Sequence, residues 1–112
     1  MSKYVPKFGD YIWIELSHQA GHEQKGRRPC LVISQYGFNK ISKMAFVCPI
    51  TTNSKKFPFR IQLPESEPVS GYVLTDQLKS LDFDFRNAEF AGEASQVVCD
   101  EVLGICLAIM EG

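Results

Sequence analysis

Between residues 11 and 81 the chain is a series of short apolar segments, each stopped by turn residues, and only from Ser95 onward does the period become that of a helix. Residues 11–16 alternate: Ile12, Ile14 and Leu16 share one face, and Tyr11, Trp13 and Glu15 the other, the period of a strand. Residues 29–34 are nearly all apolar, which predicts a strand buried on both faces, with Pro29 tolerated at its start because it offers no N–H. Residues 44–50, 59–63 and 72–75 predict three more strands, and 78–81 a short sixth. Residues 35–43, with Gly37, Asn39 and Ser42, read as a turn, and 81–91 as either a turn or a short helix. In the helical segment Val97, Val98, Val102, Ile105, Cys106 and Ile109 fall on one side, Ser95 is placed to cap the N-terminus, and Asp100 and Glu101 sit early. Gly104 inside it costs about 1 kcal/mol against alanine, so packing must hold this helix.

Five or six short strands followed by one helix predict a mainly β fold, a strongly bent antiparallel sheet or small barrel. The 112 residues suit a single domain over 1–112, and 45% apolar residues supply a core. No apolar run is long enough to span a bilayer and no export signal is visible, so a soluble, cytoplasmic protein without membrane contact is expected. The cysteines at 30, 48, 99 and 106 form no C-x-x-C pair and lie in apolar segments, which predicts buried, reduced thiols. With two histidines spaced for no site with them, neither a metal nor any other cofactor is expected. The net charge of −1 argues against a polyanion partner, but its distribution does not. Residues 1–60 carry ten Lys/Arg against three Asp/Glu, and residues 61–112 two against ten. That asymmetry points to a basic face, unless chain folding mixes the two halves.

The densest chemistry lies in Gly21-His22-Glu23-Gln24-Lys25-Gly26-Arg27-Arg28-Pro29, a polar stretch that runs straight into the apolar strand. Its glycines permit close backbone approach to a ligand, and the strand fixes its last residues. Arg28 is the foremost candidate, since a permanently charged, planar guanidinium fits a phosphate with two hydrogen bonds. Taken alone it could equally salt-bridge a surface carboxylate. Thr51 alone could cap a turn, and Glu23 could tie down its own loop. His22 could be a solvent-facing loop residue. Gln24 and Gln77 could read base edges or only pack loops, and Lys55 and Lys56 would draw phosphates without sequence preference. Trp13 fits a core position better than a base-stacking one.

Five blocks in order make the chain recognisable: Gly9-Asp10-x-x-Trp13, Gly21-x-Glu23-Gln24-x-Gly26-x-Arg28-Pro29, Cys48-Pro49-Ile50-Thr51-Thr52, Phe57-Pro58-Phe59, and Asp76-Gln77-Leu78-Lys79-Ser80-Leu81. From about Tyr4 to the C-terminal helix the chain resembles the MazF/PemK (Kid, ChpB-like) toxins of bacterial toxin–antitoxin modules. The resemblance implies an SH3-like (CcdB/PemK-like) small barrel of five to seven bent antiparallel strands with accessory helices, assembled as a homodimer. It implies a metal-independent, sequence-specific endoribonuclease that cuts single-stranded RNA, leaving a 2′,3′-cyclic phosphate and a 5′-hydroxyl. The partner it implies is a MazE/PemI-like antitoxin whose disordered acidic tail covers the basic groove. The catalytic arginine before proline then falls on Arg28, the catalytic threonine on Thr51, and a loop glutamate implicated in activity on Glu23. RNA contacts are expected from His22, Gln24, Lys55, Lys56 and Gln77. His22 departs from the pattern, standing where many relatives have serine.

Two other readings remain. A CcdB-like toxin that poisons a topoisomerase would keep the fold but need neither Arg28 nor Thr51. An SH3-like peptide adaptor would show an exposed aromatic groove and cleave nothing.

Overall fold

The unbroken apolar run of residues 44–50 forms the strand on which the sheet is hung. In the computed structural model, which describes residues 3–16, 26–55 and 57–111, this is β3 (Met44–Thr51). The other strands are β1 (Asp10–Leu16), β2 (Gly26–Val32), β4 (Arg60–Gln62), β5 (Tyr72–Leu74), β6 (Lys79–Asp82) and β7 (Glu89–Glu93). Helices α1 (Tyr36–Ser42) and α2 (Gln96–Glu111) and a 3₁₀ turn at Thr75–Gln77 complete the elements.

Every strand pairing is antiparallel, in the order β4-β5-β3-β2-β1-β7. One edge of β3 serves two partners: its first half pairs with β6, through Met44↔Asp82 to Val47↔Lys79, and its end with β5, through Ile50↔Val73 and Thr51↔Tyr72. The described strands thus form a strongly curled, open sheet with a C-terminal helix, the mainly β architecture expected.

The period of two explains why both faces of the central strands are buried. On one face Tyr11, Leu31, Cys48, Ile50, Ile61 and Val73 pack against Val98, Val102 and Cys106 of α2. On the other, Ile12, Ile14, Cys30, Val32, Ala45 and Val47 pack with Leu81 and Phe83. Each of the Val, Leu, Ile and Phe side chains among them contributes roughly 1.5–3 kcal/mol. All four cysteines are buried and unpaired, as expected, with Cys48 Sγ 3.6 Å from Cys106 Sγ.

Three expectations need correction. Residues 36–42 form α1 rather than a turn, because the buried Asn39 amide donates to Pro6 O at 2.8 Å and Ser34 O at 3.1 Å, a tertiary anchor that overrides weak local propensity. Residues 81–91, read as a turn or a short helix, end instead in a strand, β7, which pairs along the edge of β1. In α2 the Ser95 Oγ accepts from Val98 N–H at 3.3 Å as anticipated, but the buried face is Val98, Cys99, Val102 and Cys106, while Val97 (75% exposed) and Ile109 (42%) lie outside it.

Candidate functional site

β2 delivers Arg28, and the strand's burial pattern explains its position. Gly26 and Arg28 are exposed before Cys30, Leu31 and Val32 enter the core. Arg27 is fixed by Glu89 and by Glu15 at 3.5 Å, so the first residues of β2 are tied to β1 and β7. Such exposed pairs stabilise little but orient the strand.

The ladder between β2 and β3 pairs Cys30↔Pro49, Leu31↔Cys48 and Val32↔Val47. The ladder ends at Cys30↔Pro49, two residues short of Arg28 on one strand and of Thr51 on the other, so the two residues follow the same parity at adjoining strand ends. Beyond Thr51 the row continues through Thr51↔Tyr72 and Gln62↔Tyr72. Directly opposed residues of antiparallel strands share a face. Thr51, Tyr72 and Gln62 therefore occupy one row on one side of the sheet, opposite in parity to the core residues Ile50, Val73 and Ile61, and Arg28 shares the parity of that row on β2.

Thr51 is the last residue of β3 and only 7% exposed. Its Oγ1 accepts from Asn53 N–H at 3.2 Å, which orients the hydroxyl and leaves its own proton to donate. The close approach of Gly71, whose φ is +127°, packs β5 against the Thr51 carbonyl. Loop 52–55 is held by Arg60, whose Nη1 donates to Asn53 O and Lys55 O at 3.0 Å each.

Two open cavities adjoin these strands, one reaching Arg28 and the other Gln62 and Tyr72. One, of about 380 Å³, is lined by Arg28, Pro29, Ile50, Thr52, Ser70 and Trp13 among others. Thr51 itself is not in its wall, although both its neighbours are. The other, of about 500 Å³, is lined by Lys55, Phe57, Arg60, Gln62 and Tyr72 with Ser54 and Pro58. Trp13, assigned to the core from sequence, is 41% exposed at the first cavity, because its face of β1 meets the core only at Tyr11.

The structure thus brings Arg28 and Thr51 onto neighbouring strands and sets Lys55 at the second cavity. Gln77 closes the 3₁₀ turn, half-buried, and lines neither cavity. Glu23, His22, Gln24 and Lys56 lie outside the described residues. Sequence reasoning missed Arg60, Gln62 and Tyr72. The alternation of residues 59–63 already placed Arg60 and Gln62 away from the apolar face, but nothing local pairs residue 62 with 72 or 72 with 51. Among the described residues no cluster of three or more His, Cys, Asp or Glu is spaced to hold a metal, and no helix is long and apolar enough to cross a membrane.

Comparison with known proteins gives this geometry a context. Residues 7–109 match the profile of the PemK-like, MazF-like toxin of type II toxin–antitoxin systems. The chain is 39% identical over 92 residues to the endoribonuclease toxin MazF of Escherichia coli (strain K12), covering 82% of each chain. It superposes on the crystal structure of MazF (Form-I) from Deinococcus radiodurans with a TM-score of 0.92 at 41% identity, covering 98% of this chain and 100% of the other. A MazE-MazF crystal structure (Form-II) from the same organism matches with a TM-score of 0.86 at 41% identity, over 97% of this chain and 98% of that one.

Proposed function

This chain belongs to the PemK-like, MazF-like toxins of type II toxin–antitoxin systems, and we propose that Arg28 and Thr51 together hold the scissile phosphate of its RNA substrate. The protein is an endoribonuclease toxin, as the relatives it matches over most of its length are named. The observation that carries the assignment of residues is the shared register of β2 and β3, which supports an exposed guanidinium beside a threonine hydroxyl.

The chemistry follows from what those groups can do. Without a metal, the nucleophile is the substrate's own 2′-hydroxyl. Its oxygen bonds to phosphorus, the bond from phosphorus to the 5′-oxygen breaks, the 2′-proton passes to a base, and the leaving 5′-oxygen receives a proton. The products are a 2′,3′-cyclic phosphate and a 5′-hydroxyl. Arg28 neutralises charge growing on the phosphoryl oxygens and Thr51 donates a hydrogen bond to them. An arginine releases its proton too reluctantly to serve as an acid. Glu23 and His22 therefore carry the proton transfers in this scheme, and Lys55, Lys56, Gln24 and Gln77 bind the strand. A topoisomerase poison or a peptide adaptor would need none of this chemistry.

The partners follow the same reading. A MazE-like antitoxin covers, with its acidic tail, the face that carries Arg28. A second copy covers the apolar depression of about 400 Å³ formed by Ile33, Phe46, Leu78, Leu103, Leu107 and Met110, in which Phe46, Leu107 and Met110 are 41%, 45% and 62% exposed. The whole chain acts as one domain.

The test is incubation of purified protein with a long single-stranded RNA in EDTA, followed by end mapping. Discrete cuts with 5′-hydroxyl ends are expected. Intact RNA, or cleavage that EDTA abolishes, would overturn the reading.

A further inference from the structure

The larger cavity sits one strand away from Thr51 and has a composition that phosphate chemistry does not require. Resting on the ribonuclease reading above, we propose that the cavity bounded by Phe57, Arg60, Gln62 and Tyr72 receives one unpaired base of the RNA strand, beside the cut, and that Gln62 reads its edge.

Position is the first support. Tyr72 pairs directly with Thr51 on one side and with Gln62 on the other. With neighbouring strands just under 5 Å apart, Gln62 lies about 10 Å from Thr51 along the row. A strand whose phosphate rests at Thr51 thus passes over Tyr72 and has a base within reach of Gln62.

Side-chain chemistry is the second. Phe57 is 46% exposed and Phe59 41%, their rings edge to face at 5.8 Å between centroids. Two large apolar rings kept in solvent on a short loop suit a planar partner that would cover them. Bases stack on aromatic rings whatever their identity, so Phe57 and Tyr72 supply affinity rather than choice. Choice needs a directional group, and the Gln62 amide presents a donor and an acceptor together, matching a base edge. Ser54 adds a hydroxyl, and Lys55 supplies charge for the adjoining phosphate.

Arg60 is the third support and acts as a positioning residue. Its bonds to Asn53 O and Lys55 O fix the loop that links Thr51 to the cavity wall. Its Nε is buried without a hydrogen-bond partner among the described residues. Lys55 and Arg60 put charge in the wall that any anion could use, but the rings and the amide beside them are what a base needs and a carboxylate does not.

The experiment is a cycle of protein and substrate changes. A site cut by the wild-type protein is mapped, and short oligonucleotides spanning it are made with each base removed in turn and a 2′-deoxy sugar at the cut. Their Kd values are measured for the wild-type protein, Phe57→Ala and Gln62→Ala, with thermal melts to confirm folding and Phe57→Leu as a milder variant. At one position, removal of the base weakens wild-type binding about tenfold but Phe57→Ala binding far less, because the same contact is lost only once. Gln62→Ala changes which base is preferred at that same position. Fold-losses that multiply at every position overturn the proposal. So does a Phe57→Ala effect confined to binding of an acidic peptide. A wild-type protein that cuts no RNA overturns the ribonuclease reading, and the same Kd cycle, run on a single-stranded RNA that it binds, still decides the cavity. One that neither binds nor cuts overturns both.

Discussion

Replacing Gly71 by alanine tests whether the sheet positions Thr51 as described. An added Cβ would lie 2.5 Å from Thr51 O, 3.1 Å from Thr51 C and 3.2 Å from Ile50 Cγ2, and the residue holds φ at +127°. The backbone conformation alone costs a non-glycine residue about 1–3 kcal/mol. Relief of the overlap costs about as much again, because the contact is with backbone and no flexible side chain can yield. The sum, about 2–6 kcal/mol, is a large part of a total stability of roughly 5–15 kcal/mol. With a urea slope of about 1–3 kcal/mol per molar, the unfolding midpoint falls by roughly 1–3 M. Relief must also move Thr51, and a shift of even part of an ångström there lowers the cleavage rate by about 10–100-fold. The control is Gly104→Ala in α2, where nothing lies within 4 Å of the new Cβ. It should stabilise by about 0.5–1 kcal/mol and leave cleavage alone. A Gly71→Ala protein with the wild-type midpoint and rate would refute this account of β5 against β3.

Leu107→Asp places a charge in the apolar depression between β3 and α2 and should convert a dimer into monomers of near wild-type helicity, read by light scattering after gel filtration; an unchanged mass would remove that face as the interface. Alkaline pH should unfold the protein progressively. Burial, joined by the Glu67 carboxylate, holds the Tyr11 hydroxyl protonated well above its ordinary 10.0, and burial pushes the Cys30 thiol above its ordinary 9.0. The unfolded chain releases these protons first. Stability is therefore full below about pH 9 and declines as pH rises toward the folded values, by up to about 1.4 kcal/mol per pH unit for each retained proton. Urea midpoints measured at about pH 8 and about pH 10.5 check it, and equal midpoints would contradict it.

How much of this was legible in the chain depended on burial. β1 and β4 showed a period of two, and β3 a continuous apolar run, because one or both faces are packed, which forces alternation or apolarity. β7 has no buried residue, so its sequence carried no such constraint, and it is a strand only because its backbone pairs with β1. α1 was hidden for a related reason: Gly37 and Asn39 are poor helix formers, and the Asn39 amide bonds that hold the segment reach to Pro6, 33 residues away. The exposed apolar end of α2 blurred the helix's buried face, since Leu107, Ile109 and Met110 look like core in a pattern. At the proposed site, Arg28 and Thr51 were singled out because each stands in a recognisable block of chain. Tyr72 and Gln62 were not, because their relation to Thr51 exists only in the cross-strand register.

The pairing of a guanidinium and a hydroxyl over one phosphate is tested most directly by single-turnover cleavage of a mapped RNA site by Arg28→Ala and Thr51→Val, each with the wild-type melting profile. Removal of a donor that stabilises developing charge should lower the rate by about 10²–10³-fold, more for Arg28 than for Thr51, with the same 5′-hydroxyl ends in any residual product. Wild-type rates in either folded variant would contradict it.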